Sequence, residues 1–175
     1  RSVEVPSVAD LLRDCERSAA HLEMRDGYMR SDPMFIAWQQ GHRDDPADRA
    51  SWWRPWLDLV AGLRSRDVQV RRARIVSEPV SEYIRFEYDV TFTNVAGGEE
   101  VRWLPRRRAS GIALPGNDYW ILDGRLVLFN HFTGDGEVAP EGREVSSDPE
   151  MVKLCVSAFE AVWERAVPHE RYRPA

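Results

Sequence analysis

Apolar residues Val8, Leu11, Leu12, Cys15, Ala19 and Leu22 recur at helical spacing, and Ser7 followed by Asp10 resembles a capping box. The pattern predicts a first helix running to the neighbourhood of Leu22. Asp32 before Pro33 reads as an N-cap with proline at the first helical position. Met34, Phe35 and Trp38 then precede Gly41, which suits a short second helix. After a polar loop from Arg43 to Arg49, Trp52, Trp53, Trp56, Leu57, Val60 and Leu63 form one broad apolar stripe and predict a third helix from about Ser51 to Arg64. Residues 1–64 thus read as a helical N-terminal portion.

Beyond it the period changes. Residues 68–76 are rich in β-branched side chains and lead into Glu78-Pro79, as a strand entering a loop does. The stretch 81–96 supports two readings. Ile84, Phe86, Tyr88, Val90 and Phe92 alternate with polar residues as in a half-buried strand, whereas Ser81 as a cap and Gly97-Gly98 as a stop would frame a helix. A strand follows at 100–104. Strands at 119–122 and 125–129 flank Asp123-Gly124, the pair favoured in a tight hairpin turn because both positions take positive φ. Residues 133–147 are rich in Gly, Pro and acids and predict a loop. Asp148-Pro149 then caps a long C-terminal helix with an apolar face from Met151 to Ala166, closed by Pro168. The sum is a single α/β domain with a mixed sheet, over residues 1–175.

Composition narrows the chemistry. Among 175 residues, 24 Lys plus Arg stand against 29 Asp plus Glu, a net charge of −5 that disfavours a general nucleic-acid-coating role. The cations nevertheless cluster: ten arginines from Arg64 to Arg108 leave direct nucleic-acid binding as one alternative. Lys153 is the only lysine, so a phosphate-cradling Gly-Lys-Ser/Thr loop is absent and a Schiff-base role would fall to Lys153 alone. Cys15 and Cys155 lie on apolar helix faces outside any metal-binding or redox spacing and read as buried free thiols. No metal and no cofactor are expected. No apolar run reaches the length of a membrane span, which sets the expectation of a cytoplasmic protein without a membrane partner.

In open α/β sheets ligands gather at the carboxyl ends of strands. That rule selects Glu78, Arg106 and Arg107 after the first two strands and Asn130 and His131 at the end of the hairpin, with Asp135 in the loop beyond. His131 and Asp135 are the candidate acid/base pair; Glu78, Arg106, Arg107 and Asn130 are the candidate ligand-binding set. The plain alternative is that Asn130 and His131 satisfy loop backbone groups and the arginines form a solvated face. Glu23, Arg25 and Tyr28 read as an ion-pair network more readily than as a ligand site.

The words Val76-Ser77-Glu78-Pro79, Val101-Arg102-Trp103-Leu104-Pro105-Arg106, Leu114-Pro115-Gly116-Asn117-Asp118-Tyr119-Trp120 and Leu128-Phe129-Asn130-His131-Phe132 resemble an actinobacterial family of domains of unknown function, over about Leu11 to Arg173. Members of that family are often encoded near helix-turn-helix regulators. The missing catalytic set together with the resemblance points to a non-catalytic regulatory or protein-interaction module with a helix-turn-helix regulator protein as partner, and the residues at the strand ends add a small anionic ligand. The order of elements and the hairpin region after Asp123 are distantly similar to the phospholipase-D-like α/β domain, which implies a helix after Ser81. That superfamily's chemistry uses a His-x-Lys pair. Here the residues two after His21, His42, His131 and His169 are Glu23, Asp44, Thr133 and Arg171, so the resemblance implies the fold without the reactive pair. The alternative is an enzyme acting on a phosphate- or carboxylate-bearing small molecule, with His131 as acid/base.

Overall fold

The computed structural model describes residues 4–175. Its elements in order are helix α1 (Val8–Arg13), strand β1 (Ser18–Glu23), helices α2 (Pro33–Gln39), α3 (Arg49–Trp52) and α4 (Pro55–Ser65), strand β2 (Gln69–Val76) and helix α5 (Glu82–Gly97). Then come β3 (Glu100–Pro105), one tight turn of helix (Arg106–Arg108), β4 (Asp118–Leu122), β5 (Leu126–Phe132), β6 (Val138–Ser146), α6 (Pro149–Arg165) and β7 (Val167–Pro168). The strands form one mixed sheet in the order β6-β5-β4-β1-β2-β3-β7, with β1, β2 and β3 parallel to one another. β4 runs antiparallel to β1, and β5 antiparallel to β4.

Strand alternation sends side chains to two covered faces. On one, Ala20, Leu22, Ala73, Ile75, Leu104, Tyr119, Ile121, Val127 and Phe129 meet Cys155, Phe159 and Val162 of α6. On the other, Ala19, Val70, Leu122 and Leu128 pack on Leu12 of α1 and on Val60 and Leu63 of α4, while Val76, Val101 and Trp103 meet Ile84 of α5. The result is a three-layer α/β/α arrangement. Among the described residues no helix is long and apolar enough to cross a membrane.

The predicted strands, the long last helix and the Asp123-Gly124 hairpin are present, with φ of 53° at Asp123 and 66° at Gly124. The ambiguous stretch is the helix α5, capped by the Ser81 hydroxyl at Ile84 N–H. Its strand-like alternation arises because the helix is enclosed on several sides. Tyr83 and Phe86 face α2, Ile84 and Tyr88 face Trp103, and Glu87 and Thr91 face the sheet's buried charges. Its C-terminus turns through Gly98 at φ 114°, where a Cβ would stand 2.6 Å from Arg64 Cγ. Gly98→Ala is therefore expected to cost about 1–2 kcal/mol, read as a lower denaturation midpoint.

Three expectations are corrected. The first helix stops at Arg13, and Ser18–Glu23 is a central strand, so residues 1–64 are not all helical. The Asp123 carboxylate takes the N–H groups of Glu16, Arg17 and Ser18, the donors that a continuing helix would spend on its own carbonyls. The third predicted helix is two: Pro55 cannot donate to a preceding turn, so α3 ends at Trp52 and α4 restarts with Pro55 at its first position. The predicted loop 133–147 contains β6, which adds to the free edge of β5.

Candidate functional site

Because β1, β2, β3 and β5 point the same way, their carboxyl ends share one edge of the sheet. Glu78, Arg106, Asn130 and His131 all lie along it, but they do not form one site. β5 is separated from β3 by β4, β1 and β2, about 19 Å at the usual spacing of roughly 4.8 Å per strand. Glu78 and Arg107 do meet, at 3.0 Å, with Tyr172 donating to the other Glu78 oxygen at 2.9 Å. Arg106 donates to Ser77 Oγ and to the carbonyls of Met24 and Ile75, and so ties the ends of β1 and β2 together. His131 pairs across to Glu144 on β6 at 3.1 Å. Asp135 is exposed in a tight turn between Thr133 and Glu137, away from the cavity at His131.

The most chemically loaded place on the molecule lies on the α5-facing side of the same strands, between α5 and the hairpin. The register sets His21 of β1 beside Arg72 of β2 and Trp120 of β4, and Glu23 beside Arg74. These alternate positions face one way, and α5 lowers Glu87 and Thr91 onto them. Arg72 bridges Glu23 at 2.6 Å and Glu99 at 2.9 Å. Arg74 reaches Thr91 Oγ1 at 2.6 Å and lies 3.5 Å from both Glu23 and Glu87, while its guanidinium stacks over Trp103. Asp118 accepts from the Tyr28 hydroxyl and from Met24 N–H. His21 stacks on Trp120 with ring centroids 4.1 Å apart.

Two cavities of about 310 and 350 Å³ open over this network, and His21, Arg72, Tyr83 and Glu87 line both, so they form one continuous cleft. Asn130 and His131 sit on its hairpin side; Trp56, Phe86 and Trp120 wall its other end. Four residues of the wall carry a fully enclosed polar atom with no hydrogen bond among the described residues, His21 Nδ1, Trp56 Nε1, Arg72 Nε and Glu87 Oε2, the last with Arg74 Nε 3.5 Å away.

Burial also sets the protonation states. It pushes His21 down to about 3, against the pull of Glu23 and with the help of Arg72 and Arg74, so the ring is neutral. It pushes Glu87 up to about 8 despite Arg74, with Glu23 adding repulsion, so Glu87 is largely a protonated carboxyl at neutral pH. Burial likewise raises Asp118 to about 6, opposed by the Tyr28 hydrogen bond. Glu23 is displaced the other way: Arg74 and Arg72 outweigh its burial and keep it ionised. The cleft therefore offers neutral hydrogen-bonding groups and ring faces above charges that are already paired. Both thiols are buried, and burial raises each to about 11, which leaves little thiolate at neutral pH. No group of three or more His, Cys, Asp or Glu among the described residues is arranged to hold a metal.

The expected network of Glu23, Arg25 and Tyr28 is not formed: Glu23 pairs with Arg72 and Arg74, Tyr28 donates to Asp118, and the Arg25 side chain reaches the Gly27 carbonyl. The signal that marks the buried groups is alternation, since His21 and Glu23 on β1 and Arg72 and Arg74 on β2 occupy every second position of strands buried on both faces. Most of the arginine cluster is likewise turned to structural use. Arg71 pairs with Glu160 and stacks on Phe159, Arg102 stacks on Trp163, Arg66 binds the carbonyls of Arg13 and Cys15, and Arg64 binds that of Val68. These guanidiniums are engaged within the fold.

Among solved structures, NucT from Helicobacter pylori is similar with a TM-score of 0.51 at 14% identity, over 91% of this chain and 87% of that one. Nuc from Salmonella typhimurium, a phospholipase D family member, is similar with a TM-score of 0.48 at 12% identity, over 95% and 88%. TrmBL2, an archaeal chromatin protein described as showing a novel mode of DNA binding, has a TM-score of 0.46 at 16% identity. The likeness covers 90% of this chain, which spans about half (48%) of that one. These likenesses concern the fold alone. No curated protein matches the chain. Residues 6–174 match the family described as "Domain of unknown function (DUF6879)", and with nearly its whole length included the chain belongs to that family.

Proposed function

We propose that this domain is a non-catalytic binding module for a compact, planar, polar molecule, held in the cleft between α5 and the hairpin side of the sheet. The observation that carries the reading is the cleft wall, where the polar side chains of His21, Glu87 and Asn94 accompany the rings of Trp56, Tyr83, Phe86 and Trp120. A nitrogen heterocycle would offer such a wall both hydrogen-bonding edges for its polar groups and a flat surface to stack on its rings. The charges beneath are mutually neutralised, which suits an uncharged ring more than a free ion. Thermal melts with free nucleobases and nicotinamide test this. At least one is expected to raise the melting temperature, and saturation at a hundred times Kd corresponds to about 2.7 kcal/mol. Trp56→Phe and Glu87→Leu should each diminish the shift. A panel without any stabilising compound, or a shift indifferent to both substitutions, rejects the reading.

One observation favours a second reading, an acid–base enzyme: a protonated Glu87 and a neutral His21 on one wall are the states that proton transfer uses. His131, paired with Glu144 at the cleft mouth, would then be a peripheral member. Turnover of a nucleoside or phosphodiester by the purified protein, abolished by Glu87→Gln, would put this reading in place of the first.

A further inference from the structure

A second and larger cavity, about 700 Å³, lies between α2, α3 and α5 and meets the polar cleft at Met34, Arg54, Phe86 and Val90. We infer that this groove is a binding site for a monoanionic molecule with a flat apolar body, of the aryl carboxylate class, whose carboxylate pairs with Arg54. The inference goes beyond the cleft reading and stands if that reading fails.

The walls are Trp38, Trp52, Trp53, Phe86 and Phe92, and their polar edges are already used. The indole N–H of Trp38 donates to Asp89 at 2.8 Å, that of Trp52 to the Asp45 carbonyl at 2.9 Å, and that of Trp53 to Asp58 at 2.6 Å. Arg43 and Arg49 stack on Trp38 and Trp53 and hold those rings in place. What the groove offers a ligand is therefore hydrocarbon surface, of a volume ordinary for a small-molecule site.

Arg54 is the exception. It lines both chambers, is partly buried, and donates to Thr93 Oγ1 at 3.0 Å, but it makes no ion pair among the described residues. Elsewhere in the groove Arg43 lies 3.7 Å from Asp89, and His42 Nε2 lies 3.0 Å from Asp44. Arg54 also occupies the N-cap of α4, where no side chain caps the helix and where a cation faces the positive end of the macrodipole. Burial lowers its pKa and Arg72 adds to that, while Glu99, Asp44 and Asp32 oppose both, and it stays a cation. A guanidinium fork without an ion-pair partner among the described residues thus stands at the end of an aromatic trough. Asp44 and Asp89 on the same walls would repel a second negative charge, so a carboxylate fits better than a phosphate dianion.

Calorimetric titration with naphthylacetate and with its neutral amide tests this on the intact protein. The carboxylate is expected to bind the wild type about tenfold or more tightly than the amide, to weaken as salt is raised, and to shift the indole N–H resonances of Trp38, Trp52 and Trp53. Arg54→Gln should bring the carboxylate down to the amide's affinity, and Trp53→Ala should weaken both. The inference is overturned if naphthylacetate does not bind, if acid and amide bind equally to the wild type, or if Arg54→Gln, shown to be folded by its melt, binds as the wild type does. The comparison of acid with amide needs no variant, so a substitution that prevents folding leaves the test intact.

Discussion

Asp123→Ala is expected to lower stability by about 3–4 kcal/mol, read from urea denaturation. The Asp123 carboxylate accepts the N–H groups of Glu16, Arg17 and Ser18 at 3.1, 2.8 and 3.0 Å, and so fixes the start of the central strand to the hairpin turn more than a hundred residues later. The residue also sits at positive φ, which Asp and Asn tolerate better than Ala. Asp123→Asn keeps the backbone preference and loses the charge, so it should cost less, about 1–2 kcal/mol. The wild type should carry an acid limb from the same group. Burial tends to raise its pKa, but the three backbone N–H groups and Arg125 prevail and hold it below the ordinary range. The unfolded chain then binds a proton first. The stabilisation is complete above the ordinary Asp range near about 3.9 and is lost as pH falls from there through the lower folded value. In both variants that contribution to the acid limb should vanish.

Arg72→Met should be at least as damaging, about 3–5 kcal/mol at neutral pH, because it leaves Glu99, whose side chain has no exposed surface, and Glu23 without the cation that bridges them. A carboxylate stranded in this way takes up a proton in the folded state in preference to the unfolded one. The variant's deficit should therefore grow as pH rises above the ordinary carboxyl range and shrink toward pH 5. Adding Glu99→Leu should recover part of the loss, since an apolar residue in place of a stranded charge removes the penalty. Equal deficits at pH 5 and pH 8, or an additive double variant, would show that Arg72 acts through packing on Trp56 and Trp120 instead.

The sequence was most readable where one local rule decided the outcome. Ser7, Asp32 and Asp148 cap helices as their spacing predicts, and Asp123-Gly124 makes its turn. It misled where a distant partner decided. Ala19 and Leu22 fit a helical stripe, yet the Asp123 side chain takes the amides that a helix needs, and no local pattern at Ser18 reports that. The candidate site was legible as an edge of the sheet but not as a place on it. Glu78 and Arg107 were brought together and His131 was set on a cavity wall, but strand order, which periodicity does not encode, put them in different cavities. The buried charges escaped because Arg72 and Arg74 read as part of a basic surface run, whereas alternate positions on an enclosed strand face the interior.

The hydrogen-bonding order β4-β1-β2 bears on how the chain is made. β1 precedes every other strand of the sheet along the chain, and β2 can pair with one of its edges after some fifty further residues. The other edge waits for β4, which begins at Asp118, and Asp123 follows it. Until β4 is made, β1 would thus keep an open strand edge with His21 lacking its stacking partner Trp120, a surface suited to capture by a chaperone or to mispairing between nascent copies.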